Sequence, residues 1–220
     1  VEVLFVALLI VVGGSMVGQW LSVMGHLDID GSWFWLGHSG YEYIDLGRFF
    51  QILLLVGLFL WLFLVLRAIR PALRRRDEQR PLLALFLIAS AAIALFYFAA
   101  LGYGKQTNLA IAEYWRWWVV HLWVEGFFEV FATVVIAFLF ARLRLLNPRL
   151  AAQAGVLSAT VFLAGGIVGT LHHLYFSGTP IVALAFGSVF SALEVVPLLF
   201  VGFEAWHNLG FIKLHLDAPD

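Results

Sequence analysis

The stretch from Tyr114 to Arg142 constrains this chain more than any other. It is built mainly of Trp, Val, Phe, Ala and Leu, and it is long enough to cross a bilayer as one helix. Yet it carries His121, Glu125 and Glu129 at steps of four residues, hence along one helix face. Each charge held at the centre of a membrane helix costs roughly 2.5–3.5 kcal/mol on insertion scales. Ionisable side chains kept at that depth point to function, here to a metal and a proton path.

The whole composition agrees with a membrane setting. Of the 220 residues, 63% are hydrophobic and 12% charged, with mean hydropathy +0.95, whereas soluble domains carry about 25% charged residues. A formal net charge of −1 argues against a nucleic-acid partner. The absence of cysteine excludes disulfides, thiolate metal sites and iron–sulfur clusters ligated by this chain. The N-terminus is apolar from Val3, with neither a basic leading region nor a starting methionine, so it does not read as a signal peptide. Val1 reads instead as an entry into mid-protein, and the chain is expected to be one ordered piece of something longer.

Six spanning helices are expected in a single all-α membrane unit covering residues 1–220, at about 3–24, 45–70, 81–102, 113–145, 151–176 and 180–208. The second should stop at Pro71, and Pro197 should kink the sixth. The connection after the second helix holds Arg67, Arg70, Arg74, Arg75, Arg76 and Arg80, and that after the fourth holds Arg142, Arg144 and Arg149. The other loops are sparse in Lys and Arg and include Asp28, Asp30 and Glu42. Basic loops stay in the cytoplasm, so both ends of the chain are expected there. The arginines could alternatively engage a partner or anionic lipid. The Trp115–Trp118 cluster falls at the outer end of the fourth helix, where an aromatic belt is ordinary anchoring.

Depth groups the chemistry. His121 lies about 12 Å inside the fourth helix at 1.5 Å per residue, and His172-His173 lies about four residues before the outer end of the fifth. Both sets fall in the outer half of the bilayer. Adjacent histidines on an α-helix point about 100° apart, so the pair could share one metal only at a wedge between helices. Gly165, Gly166 and Gly169 would admit such a close neighbour. Three imidazoles with a carboxylate suit iron(II) better than copper(I). A lone membrane histidine is as often a helix–helix hydrogen-bonding residue, and only the combination at one depth favours a metal. Glu129 and Glu194 form a deeper layer, either passing protons or simply bonding a neighbouring helix. Glu42 and Asp45 lie at the outer start of the second helix, where an acid commonly just complements the helix end. His26, His38, His207 and His215 read as surface or interfacial residues.

His121-Leu122-Trp123-Val124-Glu125, Gly169-Thr170-Leu171-His172-His173 and Ser191-Ala192-Leu193-Glu194, in that order, resemble nitric oxide reductase of the haem–copper oxidase superfamily. The likeness runs from the loop around Glu42 to Glu204 and is similar to the third to eighth of that family's twelve core helices. It implies that His121, His172 and His173 ligate a non-haem iron, with Glu125 as a further ligand. Glu129 and Glu194 would be acidic residues beside a binuclear centre, and Glu42 a calcium ligand bridging haem propionates. Asp45 departs from the Glu common in relatives. Wording such as Phe127-Phe128-Glu129 and Ser177-Gly178-Thr179-Pro180 is closer to the quinol-dependent than to the cytochrome c-dependent branch. The resemblance implies reductive coupling of two nitric oxides to nitrous oxide and water in a bacterial inner membrane. The family's two b-type haems take histidines that this sequence lacks, so their ligands are expected in the remainder of the same catalytic subunit.

Three rivals stand beside this reading. An oxygen-reducing oxidase would carry Tyr where Glu125 stands, with copper as its second metal. An ion-coupled transporter would show internal repeats and broken helices at the midplane. A purely structural membrane subunit would have little reason to keep three acids and three histidines at depth. Electron entry, haem ligands, the proton route and oligomeric state, a homodimer included, stay open at this point.

Overall fold

The computed structural model describes residues 2–28, 31–37, 46–75, 80–125 and 130–216. All regular structure among them is helical. In chain order it comprises α1 (Glu2–Val23), the short α2 (Ser32–Leu36), α3 (Arg48–Leu73) and α4 (Arg80–Phe96), which tightens into a 3-10 turn at Tyr97–Leu101. Then come α5 (Leu109–Trp118), a π-helical segment (Val119–Glu125), α6 (Ala132–Arg142) and α7 (Pro148–Gly169), which tightens into a second 3-10 segment at Thr170–Ser177. The series closes with α8 (Ile181–Leu193) and α9 (Val196–Leu216).

Five of these runs are long and apolar enough to cross a membrane: Glu2–Val23, Arg48–Leu73, Arg80–Leu101, Pro148–Ser177 and Ile181–Leu209. The remaining expected span, the fourth, is the succession of α5, the π segment and the shorter apolar α6. Large apolar side chains are exposed along nearly every helix, from Phe5 and Trp20 on α1 to Phe203 on α9, as a lipid-facing surface requires. The expected all-α membrane bundle is therefore what the chain forms.

Local chemistry sets the boundaries. Asn108 caps α5 by accepting a hydrogen bond from the Ala110 amide at 2.9 Å. Asn147 caps α7 the same way through Arg149, with Pro148 at the first helical position. The second span was expected to end before Pro71, but α3 carries Pro71 inside and stops at Leu73. Proline's own φ is helical, and in a last turn it costs only one hydrogen bond. The sixth span was expected as one kinked helix. It is instead two, broken at Glu194 and Val195 just before the buried Pro197. Pro197 has no amide hydrogen to offer the Leu193 carbonyl, so the helix lets go one turn ahead of it. That break holds Glu194.

α7 is the hub, packing against α8, α6, α9 and α4, while α1 lies at the edge against α3 and α2. The core stacks in three layers along the bundle. Tyr97, Tyr103, Ala112 and Val119 fill the end near the 3-10 turn, Ala89, Leu122, Val130 and Phe162 the middle, and Leu82, Val134, Ala151 and Val201 the arginine-rich end. The candidate site lies at the middle layer, beside Leu122.

Candidate metal centre

α5 delivers His121 into the π segment, where i→i+5 bonding widens the helix by one residue per turn. The His121 side chain is completely buried. It faces the 3-10 segment at the end of α7, and the two histidines of that segment turn towards it. The ring centroids lie 5.5 Å apart for His121 and His172, 5.3 Å for His121 and His173, and 3.9 Å for His172 and His173. From the other side, the break between α8 and α9 brings Glu194 Oε1 to 3.5 Å from His121 Nε2. Three imidazoles and one carboxylate thus meet from three separate elements.

Glycines make the approach possible. A Cβ on Gly169 would stand 2.6 Å from His121 Nε2 and 3.5 Å from Glu194 Oε1, and one on Gly166 would stand 3.2 Å from Glu194 Oε1. Gly165 leaves room for Phe190 in the same way, so all three glycines of α7 act as the sequence suggested. Gly187 on α8 was not foreseen. Its missing side chain admits the His172 backbone nitrogen, which a Cβ would meet at 2.5 Å. Thr170 bonds back to the Gly166 carbonyl at 3.0 Å, at the point where α7 changes to 3-10 geometry.

Donor types and spacing fit a first-row metal. Imidazoles bound through nitrogen at about 2.0–2.1 Å place neighbouring ring centroids roughly 4.5–5 Å apart, so the observed separations bracket the bound arrangement. His172 Nδ1 and Glu194 Oε1 are buried and make no hydrogen bond among the described residues, which is costly unless another partner takes them up. Among the described residues no three His, Asp or Glu side chains are already set as a closed ligand group.

His121, His172, His173 and Glu194 are therefore brought together. Glu125 ends the π segment and is described by its backbone alone. Glu129, Glu42 and Asp45 lie outside the described residues, as does His38. His26 and His207 are exposed, as expected of surface histidines.

Two features escaped the sequence reading. Trp117 is more than a belt residue, because its ring stacks on His173 at 4.2 Å and 4°. Glu113 accepts a hydrogen bond from Trp117 Nε1 at 3.2 Å and pairs with Arg116 at 3.4 Å, while the Arg116 guanidinium lies 4.2 Å from the same indole ring. The signal was available, since Trp117 precedes His121 by four residues and shares its helix face. The second feature is Arg48, buried at the start of α3. It donates to the Ala100 carbonyl at 3.2 Å and to the Tyr103 carbonyl, and its guanidinium lies over the Phe34 and Tyr103 rings. Gln51, fully buried, donates to the Tyr103 hydroxyl at 2.9 Å.

The chain is similar to known proteins. Over 105 residues the chain is 34% identical to a nitric oxide reductase subunit from Stutzerimonas stutzeri, a match covering 48% of this chain and 22% of that protein. The chain thus matches about a fifth of the length of that relative. A family model spans nearly everything described above, from residue 2 to residue 219, and by that match the chain belongs to the cytochrome c and quinol oxidase polypeptide I family.

Proposed function

We propose that this chain is the metal-binding part of a nitric oxide reductase catalytic subunit, coupling two nitric oxides to nitrous oxide and water. The convergence of His121, His172 and His173 on one buried point, with Glu194 against His121, is the observation that carries the reading. The partial match to a protein named as a nitric oxide reductase subunit supports it. Glu125 at four residues after His121, where an oxygen-reducing oxidase would carry Tyr, favours the reductase within the family.

In this proposal His121, His172, His173 and Glu125 hold a non-haem iron beside a b-type haem whose ligands come from the remainder of the subunit. The bound iron would supply Lewis acidity and an electron. The protein's own part is positioning and proton supply. The buried His121 and the half-buried His172 and His173 would hold the reacting partners in one geometry, which removes much of the entropic cost of joining two small molecules. Each turnover consumes two protons and two electrons. Glu194, buried against His121, and Glu129 would pass those protons inward. Glu42 would hold calcium at the outer start of α3. Quinol, or alternatively cytochrome c, would supply the electrons, and a homodimer would bring two such sites into one assembly. By the arginine distribution both ends of the segment face the cytoplasm of a bacterial inner membrane, with the centre in the outer half.

Elemental analysis and reduced-minus-oxidised spectra of the native protein test this. Two b-type haems with one further iron and no copper are expected. Copper in place of that iron would return the reading to an oxygen-reducing oxidase. A protein without haem would exclude both.

A further inference from the structure

Eight arginines crowd one end of the bundle. Arg67, Arg70, Arg74 and Arg75 stand at the end of α3, Arg80 at the start of α4, Arg142 and Arg144 at the end of α6, and Arg149 at the start of α7. All are exposed, and none forms an ion pair with another described residue. Asp77 and Glu78 lie outside the described residues, and even both ionised would leave a large positive excess. Orienting the chain needs only a few such charges.

Next to these charges, α3, α4 and α6 enclose a groove of about 300 Å³, lined wholly by apolar side chains including Ile69, Leu83, Phe86, Val135, Phe138 and Leu139. That is the lower bound of the roughly 300–1,000 Å³ typical of ligand sites. Residues three apart share a helix face, so Arg80 stands one turn above Leu83 and Arg142 one turn above Leu139. The groove therefore has an apolar body, with Arg80 and Arg142 on the helix faces that lead to its mouth.

Few ligands use both parts. A soluble anion has no use for the groove, and a neutral apolar molecule has none for the arginines. A zwitterionic lipid offers a phosphate but also brings its own cation into a field already positive. We propose that this groove is a binding site for one anionic phospholipid of the adjoining leaflet. Its acyl chain lies against Leu83, Phe86, Val135 and Phe138, and its phosphate is held by Arg80 and Arg142. Guanidinium suits this task because its planar fork matches phosphate oxygens in pairs. The site does not depend on which reaction the metal centre performs.

The test uses the native protein in bilayer discs containing phosphatidylglycerol and phosphatidylcholine, with lipid surviving detergent extraction counted by native mass spectrometry. Preferential retention of phosphatidylglycerol is expected. Arg80→Gln with Arg142→Gln should weaken it about 25-fold, or about fivefold per arginine at about 1 kcal/mol each. Leu83→Trp, which fills the groove without changing charge, should also lower retention. Equal retention of the two lipids, or unchanged retention in the double variant, would overturn the proposal. An equal loss in Arg75→Gln with Arg149→Gln would also overturn it, by showing general surface attraction. Retention of neither lipid would mean that another part of the protein fills the groove, which overturns it as well.

Discussion

Replacing Gly169 by alanine tests the candidate centre with a single carbon atom. The new Cβ would lie 2.6 Å from His121 Nε2, where ordinary contact begins near 3.4 Å. One of the two must therefore retreat by about 0.8 Å, the difference between those distances. The His121 ring has nowhere easy to go, being wholly buried with Glu194 3.5 Å away and both other imidazoles within 5.5 Å. Overpacking of this kind costs typically about 1–3 kcal/mol. Function should suffer more, since metal–ligand distances tolerate only about 0.2 Å and a 1 Å misplacement at a reacting centre costs about 10²-fold. The expected result is a folded protein that loses most of its non-haem metal and about 10²-fold of its turnover. Metal content by elemental analysis, the haem spectrum and thermal melting read the three effects separately. Gly202→Ala is the control, because its Cβ would meet nothing within 4 Å and alanine favours the helix. If Gly169→Ala kept stoichiometric metal at unchanged affinity, His121 would not be a ligand and the reasoning would fail.

Four further outcomes follow from the same geometry. Glu125→Ala should lose activity and weaken iron retention, whereas full activity with stoichiometric iron would refute its assignment as a ligand. Glu194→Ala should slow turnover by about 10²-fold and leave the haem spectrum intact; a change confined to haem binding would mark a structural role instead. Trp117→Leu removes the stacked wall behind His173 and should lower metal affinity by about 10–100-fold, with Trp117→Phe restoring part of it in a metal titration. Arg48→Gln should destabilise by about 1.5–3 kcal/mol in thermal or denaturant unfolding, because the Ala100 and Tyr103 carbonyls lose a charged donor. An unchanged melting curve there would mean that water replaces the guanidinium freely.

The membrane class and the shared depth of His121, His172 and His173 were legible because they follow from burial and depth alone, whereas Glu194, expected in a deeper layer, lies 3.5 Å from His121. A charge inside an apolar run is expensive wherever the helix turns, so its presence carries information without any geometry. Helix ends were less legible. Pro71 was read as a stop, yet α3 continues past it, because a proline near a helix end removes only one bond. Trp117 was placed correctly in depth but not in partner, since an aromatic belt and a stacking wall look alike in sequence.

What the sequence could not supply is the backbone at the centre itself. In α geometry neighbours such as His172 and His173 would diverge by about 100°. All three elements that meet at the centre depart from that geometry. His121 sits in a π segment, His172 and His173 in a 3-10 segment that contains the non-helical Leu174, and Glu194 at the break between α8 and α9. These departures are not independent accidents. Each departure changes the direction in which a polar side chain leaves its helix, while the apolar faces of the same elements still meet lipid. Widening one helix, tightening the second and breaking the third re-aims those groups without adding a loop, which a lipid-exposed segment could not carry. Local periodicity fails at the residues proposed to carry the chemistry, as expected where the backbone bends to serve a site.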